Sequence, residues 1–210
     1  MSLKIAILGA GNVGAALARG WAKAGHQICF GVRKRQDPEL VALAASLAAT
    51  VTSVGEAAAW GEVVVLATPW PAVADALAAA GSLAGKVLFD CTNPLKPALA
   101  GLELGLETSG AEKVAALAPG AKVVKIFNTI GADHMSDAHL AGGKALMLYC
   151  GDDADAKKIA HELAAANHFD PVDAGPLSQA RLLEPMALLW ITLAYKQGLG
   201  RNFGFALLRG

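Results

Sequence analysis

The sequence predicts an α/β fold, a doubly wound and mostly parallel sheet with a C-terminal helix and tail. Short continuous apolar runs alternate with stretches of helical periodicity along the chain. Strands that are apolar on both faces belong to sheets covered by helices on both sides, which is the habit of parallel sheets. The first run breaks directly into Gly9-Ala10-Gly11-Asn12-Val13-Gly14, a turn that joins a strand to a helix in dinucleotide-binding folds. Together these make the architecture Rossmann-type. The size agrees: the chain has 210 residues, of which 54% are hydrophobic and 17% charged, and at that length a compact fold buries roughly 70% of its unfolded surface without a disulfide or metal staple. Much of the apolar content is alanine, roughly a fifth of the chain, which favours helix and close packing of layers.

The elements follow in order. Residues 3–8 form a buried first strand. Residues 12–23 carry apolar side chains at helical spacing, and Gly25 ends that helix. Residues 27–32 are a second strand, and 38–49 a helix with Pro38 in its first turn. Residues 50–52 make a short third strand, 55–60 a short helix and 63–67 an all-apolar strand. A helix over 71–80 and a strand over 86–90 precede a Pro- and Gly-bearing loop at 92–105. Residues 111–117 are helical, and 123–127 and 146–150 are strands. A helix over 153–166 is capped by Asp152 or Asp153. Residues 170–173 are a last strand, 178–196 a long helix and 198–210 a tail. Strand–helix alternation ends near Gly175-Pro176, which divides a binding domain (1–175) from an appendage (176–210). That appendage has about 35 residues, too few for a separate substrate domain of ~100 or more. Its apolar helix has to close the cleft or meet a second copy of the chain, so a homodimer is expected.

Charge and composition narrow the function. Eighteen Lys and Arg balance eighteen Asp and Glu, whereas a nucleic-acid binder needs a basic face. No segment offers the ~20 uncharged apolar residues of a membrane span; the best, residues 182–194, contains Glu184. Lys4 ahead of an apolar run imitates a signal peptide, but that run stops after four residues at Gly9. Cys29, Cys91 and Cys150 are far apart in apolar surroundings and read as buried free thiols. The expected location is the cytoplasm.

The glycine turn carries the first chemistry. Gly9 permits the tight turn, Gly11 lets a pyrophosphate approach the backbone, and Gly14 lets helix and strand pack closely. Asn12 and Val13 open the helix, whose free N–H groups and dipole face the anion. The end of the second strand selects the cofactor. An NAD binder places an acid there, ~20 residues past the glycines, to hold the ribose 2′-hydroxyl. This chain has Arg33-Lys34-Arg35, and its first acid is Asp37. Three cations suit a 2′-phosphate, and Arg33 can grip it bidentately, so NADP(H) is the expected cofactor.

Ligands in open α/β sheets sit beyond the carboxyl ends of the strands. Those ends here carry Thr68-Pro69-Trp70, Asn93-Pro94 and Asn128-Thr129, whose hydroxyl and amide groups can hold a carboxamide and a ribose. No residue reads as a positioned general acid or base, except Thr129 as a proton relay. His26 follows a helix stop, His161 lies on a solvent face and His168 at a helix exit. His134 and His139 fall near a strand end but read as surface residues. No His, Cys or carboxylate group has metal-ligand spacing, so no metal is expected. Hydride transfer to a second redox ring fits, because the rings carry the chemistry and the protein aligns them.

At this point the chain resembles the F420H2:NADP oxidoreductase family, which is related to the cytosolic domain of the STEAP metalloreductases. The resemblance spans essentially the whole length. It rests on the glycine turn, the basic second-strand end, Pro69-Trp70, Asn128-Thr129-Ile130 and Cys150-Gly151-Asp152-Asp153. The most specific stretch is Asp173-Ala174-Gly175-Pro176-Leu177-Ser178 with Arg181-Leu182 and Glu184. The resemblance implies hydride exchange between nicotinamide and a deazaflavin, coenzyme F420, with the second ring near Ile130, Phe203, Phe205 and Leu207. Departures occur where that ring would bind. Asn128 stands where the family often has His, Phe203 and Phe205 replace aliphatic residues, and Arg201-Asn202 looks inserted. The acceptor is therefore left as F420, a flavin or another small redox acceptor. The alternatives are an NADPH-dependent reductase of a small carbonyl or imine and a non-catalytic NADPH-binding sensor.

Overall fold

A computed structural model describes residues 2–210. In chain order, β1 (Lys4–Leu8) leads through α1 (Asn12–Lys23) to β2 (Gln27–Gly31), and α2 (Pro38–Ser46) to β3 (Thr50–Thr52). Then come α3 (Val54–Trp60), β4 (Val63–Leu66), α4 (Val73–Ala80), β5 (Val87–Asp90), α5 (Gly110–Leu117) and β6 (Lys122–Lys125). A two-residue pair, β7 (His139–Leu140) and β8 (Gly143–Lys144), precedes β9 (Leu146–Gly151), α6 (Ala154–Ala166), β10 (Asp170–Asp173) and α7 (Ala180–Ile191). The main sheet has eight strands in the order β10-β9-β6-β5-β4-β1-β2-β3. The stretch from β3 to β6 is parallel throughout, in the 3-2-1-4-5-6 order of dinucleotide-binding folds. The fold is thus the Rossmann-type α/β sheet that the alternation predicts.

Alternation along the strands builds two cores. Ile5 and Ile7 of β1 face one side with Trp21, Phe89, Phe127 and Phe169, while Ala6 and Leu8 face the other with Leu66, Leu88 and Leu183. Trp21 donates its indole N–H to the Leu163 carbonyl at 3.0 Å, which locks α1 to α6 inside the first core. Ser53 caps α3 in a reciprocal capping box with Glu56, and Asp153 caps α6 through the Ala156 N–H.

Several boundaries differ from the sequence reading, each for a local reason. The β6 strand ends at Lys125 rather than 127, because Phe127 takes a left-handed conformation with φ of 59°. A buried aromatic residue there is strained backbone, and it redirects the chain into Asn128. The β6–β9 pair is antiparallel: the connection between them holds only a short 3-10 turn (Ala132–His134) and the β7–β8 pair, not the helical crossover that a parallel partner needs. The expected helix over 178–196 is three pieces, a 3-10 turn at Leu177–Gln179, α7, and a π turn at Thr192–Lys196. Pro185 lies inside α7, where it removes one backbone donor. The helix expected over 38–49 stops at Ser46, and Ala48 takes a left-handed φ of 51°. All three cysteines are buried and free, as read from their apolar settings.

Candidate functional site

The glycine turn lies at the carboxyl end of β1, between β2 and β4, where the sheet order reverses. Its glycines differ in what they make room for. A Cβ on Gly14 would sit 2.1 Å from the Gly9 carbonyl oxygen, and one on Gly9 would sit 2.7 Å from the Ala67 carbonyl oxygen. Both close approaches are internal to the fold. Around Gly11 a Cβ would meet nothing within 4 Å, so the bare backbone there faces open space in front of α1. Asn12 lines the same space, whereas Val13 packs against the core.

Two cavities flank this turn. One is a cleft of about 1160 Å³ whose wall includes Gly11, Asn12, Arg19, Arg33, Lys34 and Arg201. The other, about 260 Å³, lies between the ends of β2 and β4 and includes Gly9, Gly31, Val54, Thr68 and Pro69. Arg35 lines an adjoining recess with Arg33 and Lys34. Among the described residues no carboxylate pairs with Arg33, Lys34 or Arg35; every ion pair lies elsewhere. Asp37 is the nearest acid along the chain, and its carboxylate is already engaged. It caps α2 by accepting the N–H groups of Glu39 and Leu40 at 3.0 and 3.3 Å. Arg19 of α1 and Arg201 of the tail were not singled out in the sequence. Arg19 lies eight residues, about two turns of helix, past Gly11, and the tail reaches the cleft only through folding. Arg201 donates to Asp133 at 2.6 Å, and its buried Nε has no partner.

At the ends of β4 and β5, a recess of about 280 Å³ is walled by Thr68, Pro69, Trp70, Cys91, Thr92 and Asn93. The Trp70 indole donates to Glu103 at 2.9 Å, which fixes the ring at the rim. Asn93 and Asn128 grip each other: Asn93 Nδ2 donates to the Asn128 carbonyl and Asn128 Nδ2 donates to Asn93 Oδ1, each at 3.0 Å. Asn128 Nδ2 also donates to the Leu183 carbonyl at 3.1 Å. Thr68 Oγ1 and Asn128 Oδ1 are buried without a partner. Unpaired buried polar atoms are rare, and these two lie just past the carboxyl ends of β4 and β6. Pro94, Thr129 and Ile130 are buried beside these groups and line none of the recesses.

A buried ion cluster supports this edge from below. Lys125 Nζ lies 2.9 Å from Asp90 Oδ2 and 2.9 Å from Glu184 Oε1, and all three side chains are buried. It also donates to the Thr92 carbonyl. Asp90 accepts the Thr92 N–H and hydroxyl at 2.9 and 2.6 Å. Glu184 accepts the N–H groups of Gly110 and Ala111 at the start of α5, at 2.9 and 3.1 Å. Burial disfavours the ammonium, but the two carboxylates outweigh it and hold the Lys125 pKa above the usual lysine value. The cluster fastens β5, β6, α5 and α7 to the loop that carries Asn93. Sequence patterning passed over it, although a lysine inside an apolar strand run is the available signal.

The tail residues expected near a second ring are divided. Phe203 stacks on Trp190 with ring centroids 5.1 Å apart, and the Trp190 indole donates to the Phe203 carbonyl. Phe203 and Phe205 line a recess of about 290 Å³ beside β7 and β8. Leu207 is exposed and outside that recess. The histidines stand away from the strand-end recess. His26 accepts the Leu3 N–H at 3.2 Å, and His161 lies 3.3 Å from the Tyr149 hydroxyl. His139 and His168 converge on Asp137, a grouping that sequence spacing did not show.

The family model for coenzyme F420-dependent NADP oxidoreductases matches residues 4–94. A candidate F420-dependent NADP reductase from Arthrobacter sp. FB24 superposes with a TM-score of 0.88 at 34% identity, covering 99% of this chain and 100% of that one. The metalloreductase STEAP3 of Rattus norvegicus is 33% identical over 185 residues, 88% of this chain. The chain spans only 36% of that longer protein. A reductive aminase from Aspergillus terreus, solved with NADPH and ethyl levulinate, shares the fold with a TM-score of 0.68 at 24% identity, over 94% of this chain and 64% of its own. Among the described residues no helix is long and apolar enough to cross a membrane.

Proposed function

The chain belongs to the coenzyme F420-dependent NADP oxidoreductase family, and from that premise we propose that it passes hydride between NADP(H) and a deazaflavin or flavin-like acceptor. It is an NADP-dependent oxidoreductase by that membership. The observation that carries the cofactor assignment is the second-strand end. Among the described residues no carboxylate lies within ion-pair distance of Arg33, Lys34 or Arg35, and one oxygen of Asp37 is engaged as a helix cap. A site with cations free and its acid occupied suits a 2′-phosphate and not a bare 2′-hydroxyl. The open space at Gly11 and the unpaired Thr68 Oγ1 and Asn128 Oδ1 are what a pyrophosphate, a ribose and a carboxamide would fill.

In this reading the nicotinamide supplies or takes the hydride, and the chain's own residues set its position. Gly11 and Asn12 bring the backbone at the start of α1, with its dipole, to the pyrophosphate, while Gly9 and Gly14 permit the tight turn and the close helix–strand packing behind it. Thr68, Pro69, Trp70 and Asn93 shape the recess beside the transferring face, with Asn128, Thr129 and Pro94 behind them. The Lys125 cluster and the Asn93–Asn128 pair keep these loops from relaxing. No general acid or base is assigned to the hydride step. Residues 176–210 act as an appendage: α7 backs the strand ends and the tail brings Arg201 to the cleft. Phe203 and Phe205, which line the recess beside β7 and β8, form the acceptor side with Ile130 packed behind Gly204, and Leu207 lies exposed outside it. Exposed Leu182, Leu189 and Leu199 on this appendage favour a homodimer, and free buried thiols fit a reducing cytoplasm.

Anaerobic mixing with NADPH tests the reading. The absorbance band of coenzyme F420 or of a flavin should bleach in the presence of the protein and not in its absence. Reduction of a small carbonyl or imine with no bleaching would instead support the alternative reductase. Tight NADPH binding with no turnover of any acceptor would indicate a sensor.

A further inference from the structure

We propose that Asp137, His139 and His168 form a binding site for a late first-row divalent transition metal ion of the Zn2+, Ni2+ or Co2+ class. The residues come from two segments: Asp137 and His139 lie two apart where the chain enters β7, with the His139 N–H also donating to Asp137 at 3.1 Å, and His168 lies between α6 and β10. One oxygen of Asp137 is 2.8 Å from His139 Nδ1 and 3.2 Å from His168 Nδ1. The donor atoms all lie within 4.8 Å of one another, and the two imidazole rings are 4.5 Å apart. Bonds of 2.0–2.1 Å hold neighbouring donors about 2.9–3.4 Å apart around a tetrahedral or octahedral ion. The two Asp137–imidazole separations therefore already approximate edges of a coordination polyhedron, and the third donor pair lies within 4.8 Å. Two imidazoles and one carboxylate choose Zn2+, Ni2+ or Co2+ over Mg2+ or Ca2+, which prefer all-oxygen sets.

The backbone beneath the cluster is fixed, while the three donor side chains stand 46–55% exposed and open to an ion. Asn167 is buried against α1, where a Cβ on Gly20 would meet it at 2.3 Å. Its side chain donates to the Met135 carbonyl at 2.8 Å, and its carbonyl accepts the Ala138 N–H at 3.0 Å. These bonds bracket Asp137 on both sides. His168 takes a left-handed φ of 63°, a conformation His tolerates better than most side chains, and so presents its ring toward Asp137. In the ion-free state the carboxylate can only accept, so each Nδ1 bonded to Asp137 carries a proton. On binding that proton leaves Nδ1, released to solvent from an imidazolium or moved to Nε2 through solvent in the neutral ring, and the Nδ1 lone pair takes the ion in place of the bond to Asp137. Ser136, beside Asp137, lines the large cleft, so the ion would cross-link the wall of that cleft to the α6–β10 turn. This site is independent of the redox reading and stands or falls without it.

The test uses tag-free protein stripped with chelator and titrated with Zn2+ in a calorimeter and with Co2+ in an absorption spectrometer. One equivalent should bind, the Co2+ form should show visible ligand-field bands, and the unfolding temperature should rise. His139→Ala and His168→Asn should each weaken binding by about tenfold or more, at least the loss seen for disturbed outer-shell partners. Asn keeps the left-handed backbone, so His168→Asn leaves the fold in place. His134→Ala and His161→Ala should bind as the wild type does. Absence of stoichiometric binding, or binding equally strong in His139→Ala and His168→Asn, would overturn the proposal.

Discussion

Replacing Lys125 with Met should destabilise the protein more than any conservative change at the surface. The side chain is fully buried and its ammonium faces two buried carboxylates, Asp90 and Glu184, each at 2.9 Å. Met fills a similar volume but leaves both acids without a cation. Breaking a buried pair from one side costs about 3–5 kcal/mol. In a domain of this size each kcal/mol lowers the unfolding temperature by about 2–4 °C, so the loss is roughly 6–20 °C. Glu184→Gln keeps an acceptor for the start of α5 and leaves one ammonium against one carboxylate. It should cost less, about 1–3 kcal/mol. Since the Lys125 pKa lies above its ordinary value, the contribution is complete at neutral pH and is lost only as pH rises beyond the ordinary lysine range. Thermal unfolding followed by circular dichroism, with denaturant melts for the free energies, measures both variants. A Lys125→Met melt within about 1 kcal/mol of wild type, or a Glu184→Gln variant less stable than Lys125→Met, would refute the argument that the ammonium neutralises a buried acidic pair.

Two further expectations separate roles that look alike in the sequence. Gly14→Ala places a methyl 2.1 Å from the Gly9 carbonyl and should cost about 1–3 kcal/mol or more as overpacking. Gly11→Ala meets only open space and should leave stability within about 0.5 kcal/mol while weakening NADPH binding, as paired melts and cofactor titrations would show. Glu56 is held down to about 2 by hydrogen bonds from the Ser53 hydroxyl, the Thr52 hydroxyl and the Ser53 N–H. A depressed carboxyl contributes stability that is present above its unfolded value of 4.5 and lost as pH falls toward 2. Glu56→Gln should therefore lie modestly below wild type at neutral pH, show a flatter acid limb, and converge on wild type as pH falls toward 2, as denaturant melts across that pH range would show.

Much of this molecule is legible in one dimension because its signals are local. The glycine turn, the alternating apolar runs and Arg33-Lys34-Arg35 are contiguous, and each works through neighbours a few residues away. What escaped depends on closure in space. Lys125, Asp90 and Glu184 are separated by tens of residues; the parallel register sets Asp90 beside Lys125, and packing of α7 against the start of α5 brings in Glu184. Asp137, His139 and His168 meet because His168 is held in a left-handed turn, which no spacing rule encodes. Arg19 sits on the exposed side of α1, and its relation to Arg33 depends on how that helix lies against β2. The antiparallel β9 did have a local sign: no helical run stands between β6 and β9. Fragmentation of the last helix had one too, in Pro185, but helical periodicity through Leu182, Leu183 and Met186 masks it.

The central claim is that the second-strand end binds a 2′-phosphate through Arg33, and cofactor discrimination tests it most directly. NADPH and NADH are titrated against wild type and Arg33→Ala at one ionic strength, following cofactor fluorescence. One charge-assisted contact of about 1.5–3 kcal/mol predicts that wild type binds NADPH roughly 10- to 150-fold tighter than NADH, and that Arg33→Ala loses most of that preference while its NADH affinity changes little. Equal affinities for the two cofactors in the wild type would contradict it.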